Sequence, residues 1–165
     1  MQPKTNGNWK FGFIPSEVNY NYTEANSWQY SFFVPHDMKG LINLHGGEQL
    51  FQEKLDELFT VNSTLEGRNQ ADITGLIGQY AHGNEPSHYM AYLYNMAGNP
   101  KKSQKMVNNI LNQMYSTQPT GIIGNEDCGQ MSAWYVLSSM GLFDVNPGDP
   151  YYICLLYTSP SPRDG

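Results

Sequence analysis

The stretch His82-Gly83-Asn84-Glu85-Pro86-Ser87-His88, followed at once by Tyr89-Met90-Ala91-Tyr92-Leu93-Tyr94-Asn95-Met96-Ala97, decides how this chain folds, because a crowded polar loop runs straight into an apolar helix. Proline suits the first helical position, where its missing N–H would have had no partner anyway, so Glu85-Pro86 reads as a helix start. From there Met90, Ala91, Leu93, Tyr94, Met96 and Ala97 are apolar on more than one side, until Gly98-Asn99-Pro100 stops the run. The methionines are core filler in this reading rather than ligands. Glu85 stands at a positive helix end, where the dipole and free N–H groups hold a carboxylate ionised; a proton donor there requires burial or a second negative charge. The alternative makes Glu85 a capping carboxylate, with His82 and His88 as ordinary polar neighbours.

Working outward, Pro100 opens the next helix, in which Met106, Val107, Ile110, Leu111 and Met114 share a face, and residues 119–121 end the segment. The two helices are expected to form an antiparallel hairpin. A second polar loop, Gly124-Asn125-Glu126-Asp127-Cys128-Gly129-Gln130, then feeds Met131, Trp134, Tyr135, Leu137 and Met140, with Gly141 as the C-terminal stop. On the upstream side, Leu50, Phe51, Leu55, Leu58 and Phe59 make one stripe of an amphipathic helix from Glu48. Residues 72–80 are too rich in glycine for a helix and deliver the chain to His82, with close backbone approach allowed. The aromatic run Trp28-Gln29-Tyr30-Ser31-Phe32-Phe33 is a short buried helix or a strand; the phenylalanines belong in the core, while Gln29 and Asp37 are better placed to face a cavity. Residues 1–27 read as an extended lead-in. Acid-bearing loops that each open an apolar helix predict an all-α fold, a toroid of helix hairpins with its pocket at one end.

Composition narrows the partners. The 165 residues fit one domain, and 12 tyrosines with 16 glycines and 10 prolines describe a loop-rich, aromatic surface of the kind that binds sugars. A net charge of −6 without a basic run argues against nucleic acid and anionic membranes. There is no eighteen-residue apolar stretch and no basic-then-apolar start, so neither a membrane span nor a signal peptide is visible. Cys128 and Cys154 are too few for a disulfide framework or a zinc site. Residues 154–165, with their Ser-Pro-Ser-Pro run, share neither period nor pattern with the rest and are expected to be an unrelated tail outside a domain formed by residues 1–153.

Four blocks in order resemble the catalytic region of family 92 glycoside hydrolases, calcium-dependent exo-acting α-mannosidases: Tyr22-Thr23-Glu24 with Trp28-Gln29-Tyr30; Val34-Pro35-His36-Asp37 with Gly40-Leu41-Ile42; His82 to His88; and the run from Gly124 through Gln130 to Val136. The resemblance implies an incomplete (α/α)6 barrel, inverting hydrolysis of mannose-containing glycans and a calcium ion that grips two mannose hydroxyls. It further implies that Glu85 is the general acid, that His82, Asn84 and His88 line its pocket with Trp28, Gln29 and Asp37, and that Asn125, Glu126 and Gln130 hold the calcium. Glu126 and Gln130, four apart at a helix start, share one face, and oxygen ligands suit calcium rather than zinc. Inversion needs a second carboxylate about 6.5 to 9.5 Å from the acid. The resemblance places that base beyond this chain; Asp127 is the one local substitute. Tyr89 departs from the pattern, which commonly has a second consecutive histidine there. The parent is expected to be exported, and the chain to be a piece of it. A different class, a helical module that binds calcium or sugar without catalysis, has the pocket but not the base.

Overall fold

A computed structural model describes residues 2–155. The helices hold the core. In α3, Glu48–Thr60, the stripe buries Phe51, Leu55, Leu58 and Phe59, but Leu50 falls off it and is 52% exposed. The preceding α1, Ser27–Tyr30, is a single turn begun by a capping box: the Asn26 side chain accepts from the backbone N–H groups of Trp28 and Gln29, and Gln29 reaches back to the N–H of Asn26. Phe32 is fully buried as expected, whereas Phe33 is 41% exposed. Asp37 caps α2, Met38–Leu44, through the N–H of Gly40.

The fold is not purely helical. Among the described residues, four two-stranded ladders tie the connections down: β1, Lys4–Thr5, with β2, Asn8–Trp9; β3, Glu17–Val18, in parallel with β4, Glu66–Gly67; β5, Leu76–Ile77, with β6, Tyr80–Ala81; and β7, Leu142–Phe143, with β8, Ile153–Cys154. Each has only two residues per strand, so they fasten loops and form no layer. The β5–β6 hairpin positions the site. Its turn passes through Gly78 at φ +60°, where a Cβ would come within 2.3 Å of the Leu58 carbonyl oxygen, and the Gln79 N–H donates to that same oxygen at 2.8 Å. The hairpin tip thereby rests on the end of α3.

The helix expected after Glu85 is broken into a 3-10 turn Glu85–Ser87, a second Met90–Tyr92, and a one-turn α4, Leu93–Met96. Met90 to Tyr94 are fully buried, so packing on every side, not helix propensity, sets their path. The His88 carbonyl, which a regular helix would use, accepts from the Trp134 indole N–H at 2.9 Å instead. The hairpin onto α5, Pro100–Met114, forms as read, with Asn99 as N-cap and Pro100 at N1. The last helix, α6, Gln130–Ser139, buries Met131 and Trp134 yet leaves Tyr135 and Val136 about half exposed, with Met140 just beyond its end. Gly141 at φ +72° ends it as expected. The expected tail begins inside the fold: Cys154 pairs with Leu142, and Leu155 is buried with its N–H on the Gly141 carbonyl at 2.7 Å. The rest of that expected tail, residues 156–165, lies outside the described residues.

Candidate active site

The loop of residues 82–88 leaves β6 and is clamped at once. A Cβ on Gly83 would collide with the Thr74 hydroxyl at 1.9 Å, and the Gly83 N–H donates to the Thr74 carbonyl at 3.1 Å. His82 is fully buried, with both ring nitrogens used. Tyr115 donates its hydroxyl proton to the Met131 carbonyl at 3.2 Å, so toward the histidine it is an acceptor, and His82 Nε2–H donates to it at 2.7 Å. The other nitrogen, Nδ1, then accepts from the Tyr80 hydroxyl at 2.7 Å. One consistent tautomer satisfies three side chains, two of them fully buried. The Trp134 ring crosses the imidazole edge to face at 4.4 Å, and burial, aided by the neighbouring His88, pushes the His82 pKa down to about 3. His82 is a neutral structural group.

His88 is built in the same way. Its Nε2–H donates to the His82 carbonyl at 2.9 Å, which leaves Nδ1 as an acceptor for the Gln130 amide at 3.3 Å. Burial lowers its pKa to about 4, against the opposing pull of the His82 carbonyl and the Asp127 charge. Asn84, also buried, donates to the Glu24 carbonyl at 2.7 Å and holds that left-handed turn. Of the charged or polar groups in this loop, Glu85 alone points outward, exposed, at the head of the 3-10 turn. Its setting is a three-residue turn rather than an α-helix, so the helix dipole invoked from sequence is largely missing.

The loop of residues 124–130 lies directly on this one. Gly124 has φ +72°, and a Cβ there would reach 3.2 Å from Gly83 Cα and 2.8 Å from the Thr74 hydroxyl, so the two glycines permit the contact. Asp127, Cys128 and Gly129 then follow one another in the left-handed region, φ +51°, +56° and +97°. The two non-glycine members cost about 1–2 kcal/mol each. Glu126 meets the start of α6, accepting from the N–H groups of Gly129 and, at 3.2 Å, Ser132; these bonds, those with Ser132 foremost, hold its carboxyl below the usual range. Asp127 lies near enough to Glu85 to feel its charge. Its carboxyl is held above the ordinary range by partial desolvation, then by a side-chain hydrogen bond and charge repulsion with Glu85, with Asp72 and Glu126 adding to it.

Eight of the eleven residues singled out from sequence lie on these two touching loops: His82, Asn84, Glu85, His88, Asn125, Glu126, Asp127 and Gln130. The other three do not join them. Trp28 sits under the Lys54 ammonium, 4.6 Å from the ring centroid, in a groove with Gln2 and Phe13. Gln29 is buried, and both ends of its amide are spent on the Asn26 N–H and the Gln79 carbonyl, so it faces no cavity. Asp37 lines a separate groove with His36, Asn146 and Tyr152. Tyr80, Tyr115, Trp134 and Thr74, which fasten the loops, were missed; an aromatic inside an apolar run carries no mark of the polar atom it serves.

Among the described residues, no three His, Cys, Asp or Glu side chains converge to hold a metal ion. A calcium ion takes six to eight oxygens and accepts amide and backbone carbonyl oxygens as well as carboxylates. The exposed loop of residues 124–130 offers that mixture: the Glu126 and Asp127 carboxylates, the Asn125 amide, and the Gln130 Oε1, which the His88 bond turns away from the imidazole. In donor type the set fits a hard cation.

Residues 1–160 match the Glycosyl hydrolase family 92 catalytic domain. An uncharacterized secreted glycosidase of Arthroderma benhamiae is 36% identical over 132 residues, which is 80% of this chain and 15% of that protein. The family 92 α-mannosidase BT3965 of Bacteroides thetaiotaomicron, in complex with mannoimidazole, superposes with a TM-score of 0.83 at 40% identity, over 92% of this chain and 21% of that one. The inverting mannosidase BT2199 of the same organism gives a TM-score of 0.74 at 37% identity, over 92% of this chain and 22% of its own. The chain thus spans about a fifth or less of the relatives that it matches.

Proposed function

This chain belongs to glycosyl hydrolase family 92, and from that premise we propose that it is the acid-bearing part of a calcium-dependent, inverting α-mannosidase that removes terminal mannose from glycans. The observation that carries this reading is the contact of the two polar loops, Gly124 against Gly83 and Gln130 on His88, which brings the acids of both to one seam. A general acid has to reach the leaving oxygen, and Glu85 is the one polar side chain of residues 82–88 that projects into solvent beside the second loop. Glu85 is the group that protonates the departing glycosidic oxygen. We assign Asp127 to the calcium set, and an inverting base stands about 6.5 to 9.5 Å from the acid with room for a water between them. The base therefore comes from another part of the whole protein, as do the further helices that complete an (α/α)6 barrel around residues 1–153.

Asn125, Glu126, Asp127 and Gln130 would hold calcium, and His82, Asn84 and His88 back the site rather than touch the sugar. Bound calcium supplies a Lewis-acidic seat for two sugar hydroxyls. The structure of BT3965 with mannoimidazole and the name of BT2199, an inverting mannosidase, support the substrate and the stereochemistry. The secreted relative supports export, and no helix among the described residues is long and apolar enough to cross a membrane. The test is hydrolysis of an α-linked mannobiose by the full-length protein, followed by NMR with and without a chelator. β-Mannose is expected first, and only with calcium present. α-Mannose as the first product would overturn inversion, and chelator-insensitive turnover would overturn the metal.

A further inference from the structure

We propose that His88 is a positioning residue whose Nδ1 sets the orientation of the Gln130 side-chain amide, so that Gln130 Oε1 faces the side of Glu126 and Asp127. This rests on the reading of residues 124–130 as an ion-binding loop. The polarity follows from the hydrogen bonds. Carbonyl oxygens only accept, so the bond from His88 Nε2 to the His82 carbonyl at 2.9 Å places the single ring proton of a neutral imidazole on Nε2. Nδ1 is then an acceptor, and its partner at 3.3 Å must donate, which the Gln130 NH2 does. A primary amide is planar, with nitrogen and oxygen directed apart, so anchoring the nitrogen on the imidazole turns the oxygen away from it. Without that anchor the amide of an exposed glutamine rotates freely and presents a donor to a cation half of the time.

His88 is itself fixed from both sides. It is 3% exposed, its carbonyl takes the Trp134 indole N–H, and its ring lies 5.2 Å from that of His82, whose own tautomer is set by Tyr80 and Tyr115. Direction is thus passed from a pair of tyrosines, Tyr80 buried and Tyr115 partly so, through two imidazoles and a backbone carbonyl, to one surface oxygen. The buried histidines of residues 82–88 act on the site through Gln130.

Two amide substitutions separate the ring nitrogens. His88→Asn keeps an acceptor near the Nδ1 position, and His88→Gln keeps a donor near Nε2 while it loses that acceptor. Calcium affinity of the full-length protein is measured by calorimetry for both, for Gln130→Met, and for the double variant His88→Gln with Gln130→Met, with thermal melting alongside. Loss of a group that orients a metal ligand costs 10- to 100-fold in affinity; His88→Gln and Gln130→Met are each expected to weaken calcium by about tenfold, His88→Asn to stay within a few-fold of the parent, and the double variant to be no worse than either single one. Additive losses in the double variant, or equal losses for His88→Asn and His88→Gln, would overturn the positioning role while leaving the calcium loop intact. Unchanged affinity in Gln130→Met would overturn Gln130 as a ligand, and the inference with it.

Discussion

The two touching loops are built on opposite principles. In residues 82–88 the polar side chains other than Glu85 are buried, and His82, Asn84 and His88 are committed to named partners. In residues 124–130 the acids stand in solvent on a backbone with a left-handed run that favours glycine, at residues where only Gly129 is one. The buried loop is a rigid mount with one group projecting from it, and the strained loop is the surface that meets solutes. Motif-dense sequence therefore mixes two kinds of residue: those left facing solvent and those that hold them still. In the first loop the histidines, which look most like catalysts, belong to the second kind.

The sharpest way to break this contrast is to remove the one projecting group. Glu85→Gln in the full-length enzyme should lower turnover of an unactivated mannobiose by about 10²–10⁴-fold, with calcium affinity unchanged. Near-parental hydrolysis would make Glu85 a cap like Glu126. Next in size is the mount itself: His82→Leu strands the Tyr80 hydroxyl in the core and removes the bond to Tyr115, which keeps its Met131 partner, and about 3 kcal/mol of stability should be lost, read as a lower melting temperature, since an orphaned buried group costs about 1–3 kcal/mol and a lost hydrogen bond about 1. A surface substitution such as Asn125→Ala should leave melting alone.

Smaller still is the seam between the loops. Gly124→Ala places a methyl group against Thr74 and Gly83 at φ +72°, for a cost of about 2 kcal/mol. Because the strain falls on the contact, activity should drop further than melting does, and equal losses would mean that the seam has no functional part. The most gradual effect comes from pH. The folded His82 and His88 have pKa values lowered by burial to about 3 and about 4, whereas the unfolded chain takes up protons near pH 6.5. Below that pH the unfolded state binds more protons, so stability is full above about 6.5 and is lost as pH falls toward 4, by at most about 1.4 kcal/mol per pH unit for each histidine. Melting followed from pH 7 to 4.5 checks the slope, and His82→Leu should flatten it.

Local chemistry made much of this legible from residue types alone. Pro100 announces α5, the spacing of Phe51, Leu55, Leu58 and Phe59 announces α3, and Gly141 the stop after α6, because helix starts, stops and 3.6-residue periods act over a few neighbours. The polar character of the two loops, and hence eight of the eleven candidate residues, was visible for the same reason. Only the tertiary structure decided what each polar group does, since that depends on partners far along the chain: Trp134 takes the carbonyl of His88 and breaks the expected helix, Tyr115 sets the tautomer of His82, and Gln79 turns Gln29 from a cavity residue into a strut. A side chain shows its donors and acceptors in the sequence, but whether they are spent inside or left facing solvent is settled by which distant atoms come within about 3 Å of them when the chain packs.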